Sequence, residues 1–185
     1  MYNSNQNEET EAMDGTENTG DKKYNFRQTT WGMSKEDVMQ AEKSDPVSES
    51  EYKVDYDTEM MGFNGKIGYT FNDDELIRAS FLLLTKPKTN NEYIEIYETI
   101  QKELRKKYGK TVIDTIQHRD PSQTTEPNTY GDAVCNGDLL YATQWDLPSS
   151  DVQLLLRGED SECVITIMHI SEEGFRQMMQ DRKNQ

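Results

Sequence analysis

The pattern that most constrains this chain runs from Asn91 to Tyr108, where Tyr93, Ile96, Tyr97, Ile100, Leu104 and Tyr108 recur at steps of three and four and the opposite face is charged. Such a stripe belongs to an α-helix with one side buried. Thr89 with Glu92 supplies a capping-box signature ahead of it, and Gly109 supplies a stop. A helix of this kind requires an apolar surface to lie on. The segments flanking it read as strands that provide one, so the pattern already points to mixed α and β layers.

Upstream, Tyr52, Val54, Tyr56 and Thr58 alternate with charged residues, while Lys66 to Phe71 and Leu76 to Leu84 read as two further strands. Gly62, Asn64 and Gly65 mark the first connection and Asn72-Asp73-Asp74 a tight hairpin turn. Before them, Ser34 is placed to cap a short helix over 35–43, with Asp37 as its box partner, Val38, Met39 and Ala41 as its apolar face, and Asp45-Pro46 as its stop. Downstream, Thr111 to Gln117 is a candidate strand. Leu139 to Trp145, Val152 to Arg157 and Val164 to Ile170 read as three more, joined at Pro148-Ser149-Ser150 and Gly158-Glu159-Asp160. Ser171 to Arg182 reads as a closing helix through Phe175, Met178 and Met179, weakened by Gly174. Residues 118–137, with Pro121, Pro127, Gly131 and Gly137, read as a long irregular connection. The expected class is α+β, with helices packed on one face of an antiparallel sheet and a division into two α-β-β-β halves. Trp31 and Trp145 each precede a Val by seven residues, but one segment reads as cap and helix and the other as strand, turn and strand, so the echo is read as coincidence.

Composition sets the boundaries. Hydrophobic residues make up 33% of the chain and the mean hydropathy is -0.96, both low for a globular protein. The deficit is concentrated in residues 1–23, which are expected to form a disordered acidic tail or linker, with a single domain over 24–185. Residues 1–21 hold Glu8, Glu9, Glu11, Asp14, Glu17 and Asp21 with no Lys or Arg, supplying -6 of the net -15 and leaving -9 for the rest. Charge of this sign repels phosphate backbones and anionic headgroups, so no nucleic-acid partner is expected, and membrane contact is expected only through an anchor outside this sequence. The basic run Lys102, Arg105, Lys106, Lys107 and Lys110 reads as cations at the favourable end of a helix dipole. No stretch approaches the roughly 18 apolar residues of a membrane span, and residues 1–20 hold no apolar core of an export signal. The sequence as written is therefore expected to carry no export signal, which a processed form would also satisfy.

The residues offer no set expected to act in catalysis, to bind a cofactor or to hold a metal. His118 falls in the Pro-rich connection and His169 on a strand, neither beside a nucleophile; Cys163 and His169 lie about 20 Å apart along a regular strand. Asp73-Asp74-Glu75 and Glu159-Asp160-Ser161-Glu162 fall where hairpins turn, and neither has the spacing of a calcium loop. The glycines form no phosphate cradle. Cys135 and Cys163 fall two strands apart in the expected meander, about 10 Å between Cα atoms, which favours two buried thiols over a bridge unless the loop carrying Cys135 folds inward. Tyr52, Tyr56, Tyr141 and Trp145 form the candidate binding surface, with packing in the core as the competing reading.

The run Phe26-Arg-Gln-Thr-Thr-Trp31-Gly32-Met33-Ser34-Lys35-Glu36-Asp37-Val38, followed by Glu42, resembles the opening motif of a group of uncharacterised bacterial exported proteins and lipoproteins. Tyr69-x-Phe71-x-x-x-x-Leu76, Leu104-x-x-x-Tyr108-Gly109 and Trp145 ahead of a Val-x-Leu strand are similar to later parts of that group. In layout the group resembles outer-membrane assembly lipoproteins and the β-lactamase inhibitory protein. The resemblance implies a non-catalytic, extracytoplasmic or envelope-associated scaffold that binds protein or envelope components, often held by a lipidated Cys, which this sequence does not show at its start. The alternative is a small cytoplasmic regulatory protein that binds a basic partner, and the third is a hydrolase using dispersed carboxylates.

Overall fold

The structure, a computed structural model, describes residues 24–122 and 124–183. The tail expected over 1–23 lies outside the described residues. Helix α1 (Lys35–Glu42) leads into β1 (Ser48–Glu49), β2 (Lys53–Met60), β3 (Phe63–Asn72) and β4 (Glu75–Leu83). Then come α2 (Asn90–Tyr108), β5 (Ile113–His118), a 3-10 turn at Pro127–Thr129, α3 (Tyr130–Cys135), β6 (Leu139–Leu147), β7 (Ser150–Glu159), β8 (Glu162–Ile170) and α4 (Glu172–Lys183).

All eight strands join one antiparallel sheet in the order β1-β2-β3-β4-β8-β7-β6-β5. The chain lays down four strands, crosses by α2 to the far edge, and lays down four more running back. The last strand, β8, then zips onto β4, with Phe81 opposite Ile167. The expected halves of three strands each thus hold four, because β1 is only two residues long and β5 is the edge strand that α2 delivers. Three of the hairpins turn on paired residues with positive φ: Met61 and Gly62, Asp73 and Asp74, Asp160 and Ser161. This turn matches the right-handed twist of the flanking strands, which is why Asn, Asp and Gly cluster there. Asp74 does a second job, accepting from the Lys35 N–H at 3.0 Å and so placing an anion at the start of α1. At that same helix start the Ser34 hydroxyl accepts from the Asp37 N–H at 3.2 Å.

One side of the sheet is closed. Val54 and Tyr56 of β2, Ile67 and Tyr69 of β3, Ala79 and Phe81 of β4, Ile165 and Ile167 of β8, Leu154 and Leu156 of β7, and Tyr141 and Trp145 of β6 share that side by register and are buried. Val38 of α1, Tyr97, Ile100 and Leu104 of α2 and Val134 of α3 join them in one core. Burying each large side chain contributes roughly 1.5–3 kcal/mol. Helix α4 does not join that layer. It packs at the end of β4 and β8, where a Cβ on Gly174 would lie 2.5 Å from the Ile77 carbonyl oxygen. The glycine that lowers helix propensity is therefore what lets α4 seat.

The segment 118–137 is not irregular throughout. Its second part forms the 3-10 turn and α3, and Ala133, Val134 and Cys135 are buried against the sheet. Cys135 and Cys163 form a disulfide, with Cα atoms 4.3 Å apart. The two-strand separation expected from the meander fails because Cys135 does not lie in the plane of the sheet. It lies above it, at the end of a helix that folds inward over β7 and β8. Gly158, opposite Cys163 in the ladder, makes the approach possible: a Cβ there would meet the Val134 and Cys135 carbonyl oxygens at 2.3 and 2.5 Å. Gly158→Ala is expected to lower stability by about 1–3 kcal/mol, read as a shift in urea midpoint. An unchanged midpoint would contradict this close approach.

Candidate functional site

The four aromatic residues expected to form a surface are separated by the fold. Tyr52 lies just before β2 and is 61% exposed, whereas Tyr56, Tyr141 and Trp145 are 2%, 6% and 0% exposed and belong to the core. The reason is parity. Tyr56, Tyr141 and Trp145 occupy the inward positions of their strands, and each ring packs edge-on against a neighbour: Tyr56 on Tyr69, Tyr141 on Tyr97 and Trp145 on Tyr108. Burial pushes the Tyr97 and Tyr141 hydroxyls up to about 12. Trp145 Nε1 donates to the Gly109 carbonyl at 3.2 Å, tying the end of α2 to β6. They are packing residues, and the surface reading of these three is corrected.

The residues carrying the resemblance also meet. The Phe26 ring lies 6.0 Å from that of Tyr69, whose hydroxyl donates to the Glu42 carboxylate. Gly32 and Met33 exchange backbone bonds with Leu76. Trp31 Nε1 donates to the Ser149 carbonyl at 2.8 Å and to Ser150 Oγ at 3.1 Å, so the first tryptophan segment docks on the turn that follows the second. His169, buried on β8 between Phe26 and Tyr108, is pushed down to about 3 by burial and then by the Lys107 charge. It is neutral at any ordinary pH, and Cys163, its strand neighbour of the same parity, is in the disulfide.

Among the described residues two surfaces stand open. The larger is the side of the sheet opposite α1, α2 and α3. Its middle row, read across paired strands, is Lys66, Leu82, Thr166, Leu155, Ala142 and Thr115; the next row is Asp55, Gly68, Ser80, Met168, Gln153, Gln144 and Ile113. From β4 to β6 these rows hold no charge. Charged residues stand toward the margins: Lys53, Asp57 and Glu59 on β2, Asp146 on β6, and Asp151, Arg157 and Glu159 on β7. The neutral positions are half-buried by one another, with Leu82 36% exposed. The face thus has a neutral, partly apolar centre inside a charged margin, and interfaces between proteins are in general depleted of charge at the centre and polar at the rim. The sequence signal for it was present: Leu82-Leu83-Leu84 and Leu154-Leu155-Leu156 are apolar runs, where a strand with one solvated face would alternate.

The smaller is a cleft of about 640 Å³ between the Trp31 turn, the β6–β7 hairpin and the start of α4. Glu75, Asp146, Asp151, Glu172 and Glu173 line it, with Trp31 and Phe175 as aromatic walls. The Asp151 carboxyl is held above the usual range by burial, with the Asp146 charge adding and a hydrogen bond from Gln144 opposing. Among the described residues no group of three or more His, Cys, Asp or Glu is placed to hold a metal ion, and no helix is long and apolar enough to cross a membrane. Comparison with family models, curated proteins and solved structures found no match to this chain.

Proposed function

We propose that this chain is a non-catalytic extracytoplasmic scaffold that binds a protein or envelope component through the uncovered side of its sheet. The observation that carries the reading is the eight-stranded sheet closed by α1, α2 and α3 on one side and, on the other, presenting Leu82, Thr166, Leu155 and Ala142 inside a charged margin. The Cys135–Cys163 bridge supports the compartment, because such bonds persist where the surroundings are oxidising.

The test installs a photo-crosslinking side chain at Leu155 or, separately, at the exposed Lys102 of α2, in the source cell. The expected result is a discrete adduct from Leu155 that disappears when Leu82→Arg is added, in protein that fractionates with the envelope and has no free thiol. Equal adducts from both positions, or a cytosolic protein with two reactive thiols, would sink the reading.

The acid-lined cleft favours a second reading, a cytoplasmic regulatory protein that binds a basic partner. Five carboxylates beside Trp31 and Phe175 suit a Lys or Arg side chain. Binding of that kind would weaken steeply with salt and fall with Asp146→Asn plus Glu173→Gln, while ignoring Leu155.

A further inference from the structure

The two edges of the sheet are built differently. At one, β1 is two residues long, follows Pro46, and has Glu49 paired with Lys35 at 2.8 Å. Short, charged and proline-flanked strands are how sheets avoid pairing with other chains. At the other, β5 runs for six residues without Lys, Arg or Pro, and Val112, Ile113 and Ile116 beside and within it are 59%, 44% and 49% exposed. Among the described residues nothing pairs with the outer side of this edge.

Its backbone has a defined outward parity. Arg119 N–H donates to the Asp138 carbonyl at 2.8 Å, continuing the register that sets His118 opposite Leu139. Residues 113, 115 and 117 therefore turn their N–H and C=O toward β6, and Asp114, Ile116 and His118 turn theirs outward. Val112 N–H also reaches the Gln144 carbonyl, at 2.9 Å, the mark of a bulge where the strand begins. Among the described residues no hydrogen bond reaches the outward backbone of Asp114, Ile116 or His118.

We propose that this edge is a self-association site, where a second copy of the chain pairs its own β5 antiparallel about a two-fold axis at Ile116. The parity selects the register. A two-fold axis normal to the sheet keeps both helical layers on one side, and it requires that outward residues meet outward residues. Centring on Ile116 sets Ile116 opposite its own copy and Asp114 opposite His118, so all three outward residues of each strand exchange both backbone bonds with the partner. Thr115 then meets Gln117. No like charges stand opposite: the Asp114 carboxylate, which Arg105 and Gln101 hold within its own copy, lies beside the His118 and Arg119 end of the other, so the two strand ends meet without repulsion. An apolar pair sits on the axis, and the two sheets become one.

Sedimentation of the full chain from about 10 μM to 1 mM tests this, together with two variants. The wild type is expected to shift from 21.5 kDa toward twice that mass. Ile116→Pro removes an N–H that points away from β6, so the fold and its circular dichroism are expected to persist. Two hydrogen bonds are lost across the axis, and the dimer weakens by roughly 30-fold. Ile116→Cys, in an opposed pair about 5.5 Å apart, is expected to give a covalent dimer on a non-reducing gel, and Gln117→Cys is not. A chain that stays monomeric at every concentration without an Ile116→Cys adduct overturns the proposal. So does a dimer that Ile116→Pro leaves unchanged, or one that Leu155→Arg alone dissolves; the last would assign association to the open sheet side.

Discussion

Replacing Cys135 and Cys163 together by Ala is expected to lower the unfolding free energy by about 3–4 kcal/mol, the chain-entropy value for a cross-link spanning 28 residues. The bridge closes the path from the end of α3 through β6 and β7 to the start of β8. Helix α3 has six residues, too few to hold together without tertiary support. Without the bond, what keeps it on the sheet is the burial of Ala133 and Val134 and the contact with Gly158. The loss is therefore expected to be uneven. Amide exchange accelerates first in 124–137 and only later in β7 and β8, while the urea midpoint falls as a whole. Wild type held in reductant is expected to reproduce the variant. If the variant and the wild type share one midpoint, the two cysteines are not joined in the folded protein.

The second large effect is a dependence on acid. His169 is enclosed by Phe26 at 4.9 Å and Tyr108 at 5.9 Å between ring centroids, and burial, reinforced by Lys107, holds it down at about 3. In the unfolded chain it takes up a proton near 6.5. Between those values the unfolded state binds more protons than the native state. Stability from keeping this ring neutral is complete above pH 6.5 and is lost as the pH falls toward 3, with a limiting slope of about 1.4 kcal/mol per pH unit. His169→Gln removes the titration at nearly constant volume. Urea midpoints of both proteins at pH 7, 6, 5 and 4 are expected to converge as the pH falls, since every other titrating group is common to the two. Parallel curves would show that His169 is charged, or accessible, in the folded state.

Much of this architecture can be read from local pattern, and the reasons are local too. The stripe from Tyr93 to Tyr108 identifies α2 because a helix repeats over a few residues. Asn72-Asp73-Asp74 identifies a hairpin because positive φ is a property of single residues. The Ser34 cap, the strands β2 to β4 and β6 to β8, and the meander within each half follow in the same way. What that pattern misassigned needed information from elsewhere in the chain. Thr89 begins α2 without its hydroxyl accepting from a backbone N–H of the first turn, because that hydroxyl donates to the Glu92 carboxylate, and Glu92 accepts from the Lys88 N–H rather than from that of Thr89. The segment 118–137 looked irregular because α3 is short and carries Gly131, yet a Cβ at Gly131 would meet the Asn90 and Asn91 backbone at 2.3–2.6 Å.

By itself the sequence determined the α+β class, the acidic character and the positions of nearly all the strands and helices, since periodicity, capping and turn preferences act between near neighbours. Tertiary structure alone decided the rest. It decided that β4 and β8 join the two halves into one sheet, that Cys135 reaches Cys163 from above its plane, and that Tyr56, Tyr141 and Trp145 turn inward. Among the described residues it also left two features uncovered: the Leu82 to Ala142 row and the outer backbone of β5. Each depends on which residues meet across long loops, and a strand's own side-chain alternation is the same whether its partner is a neighbour in sequence or a strand eighty residues away.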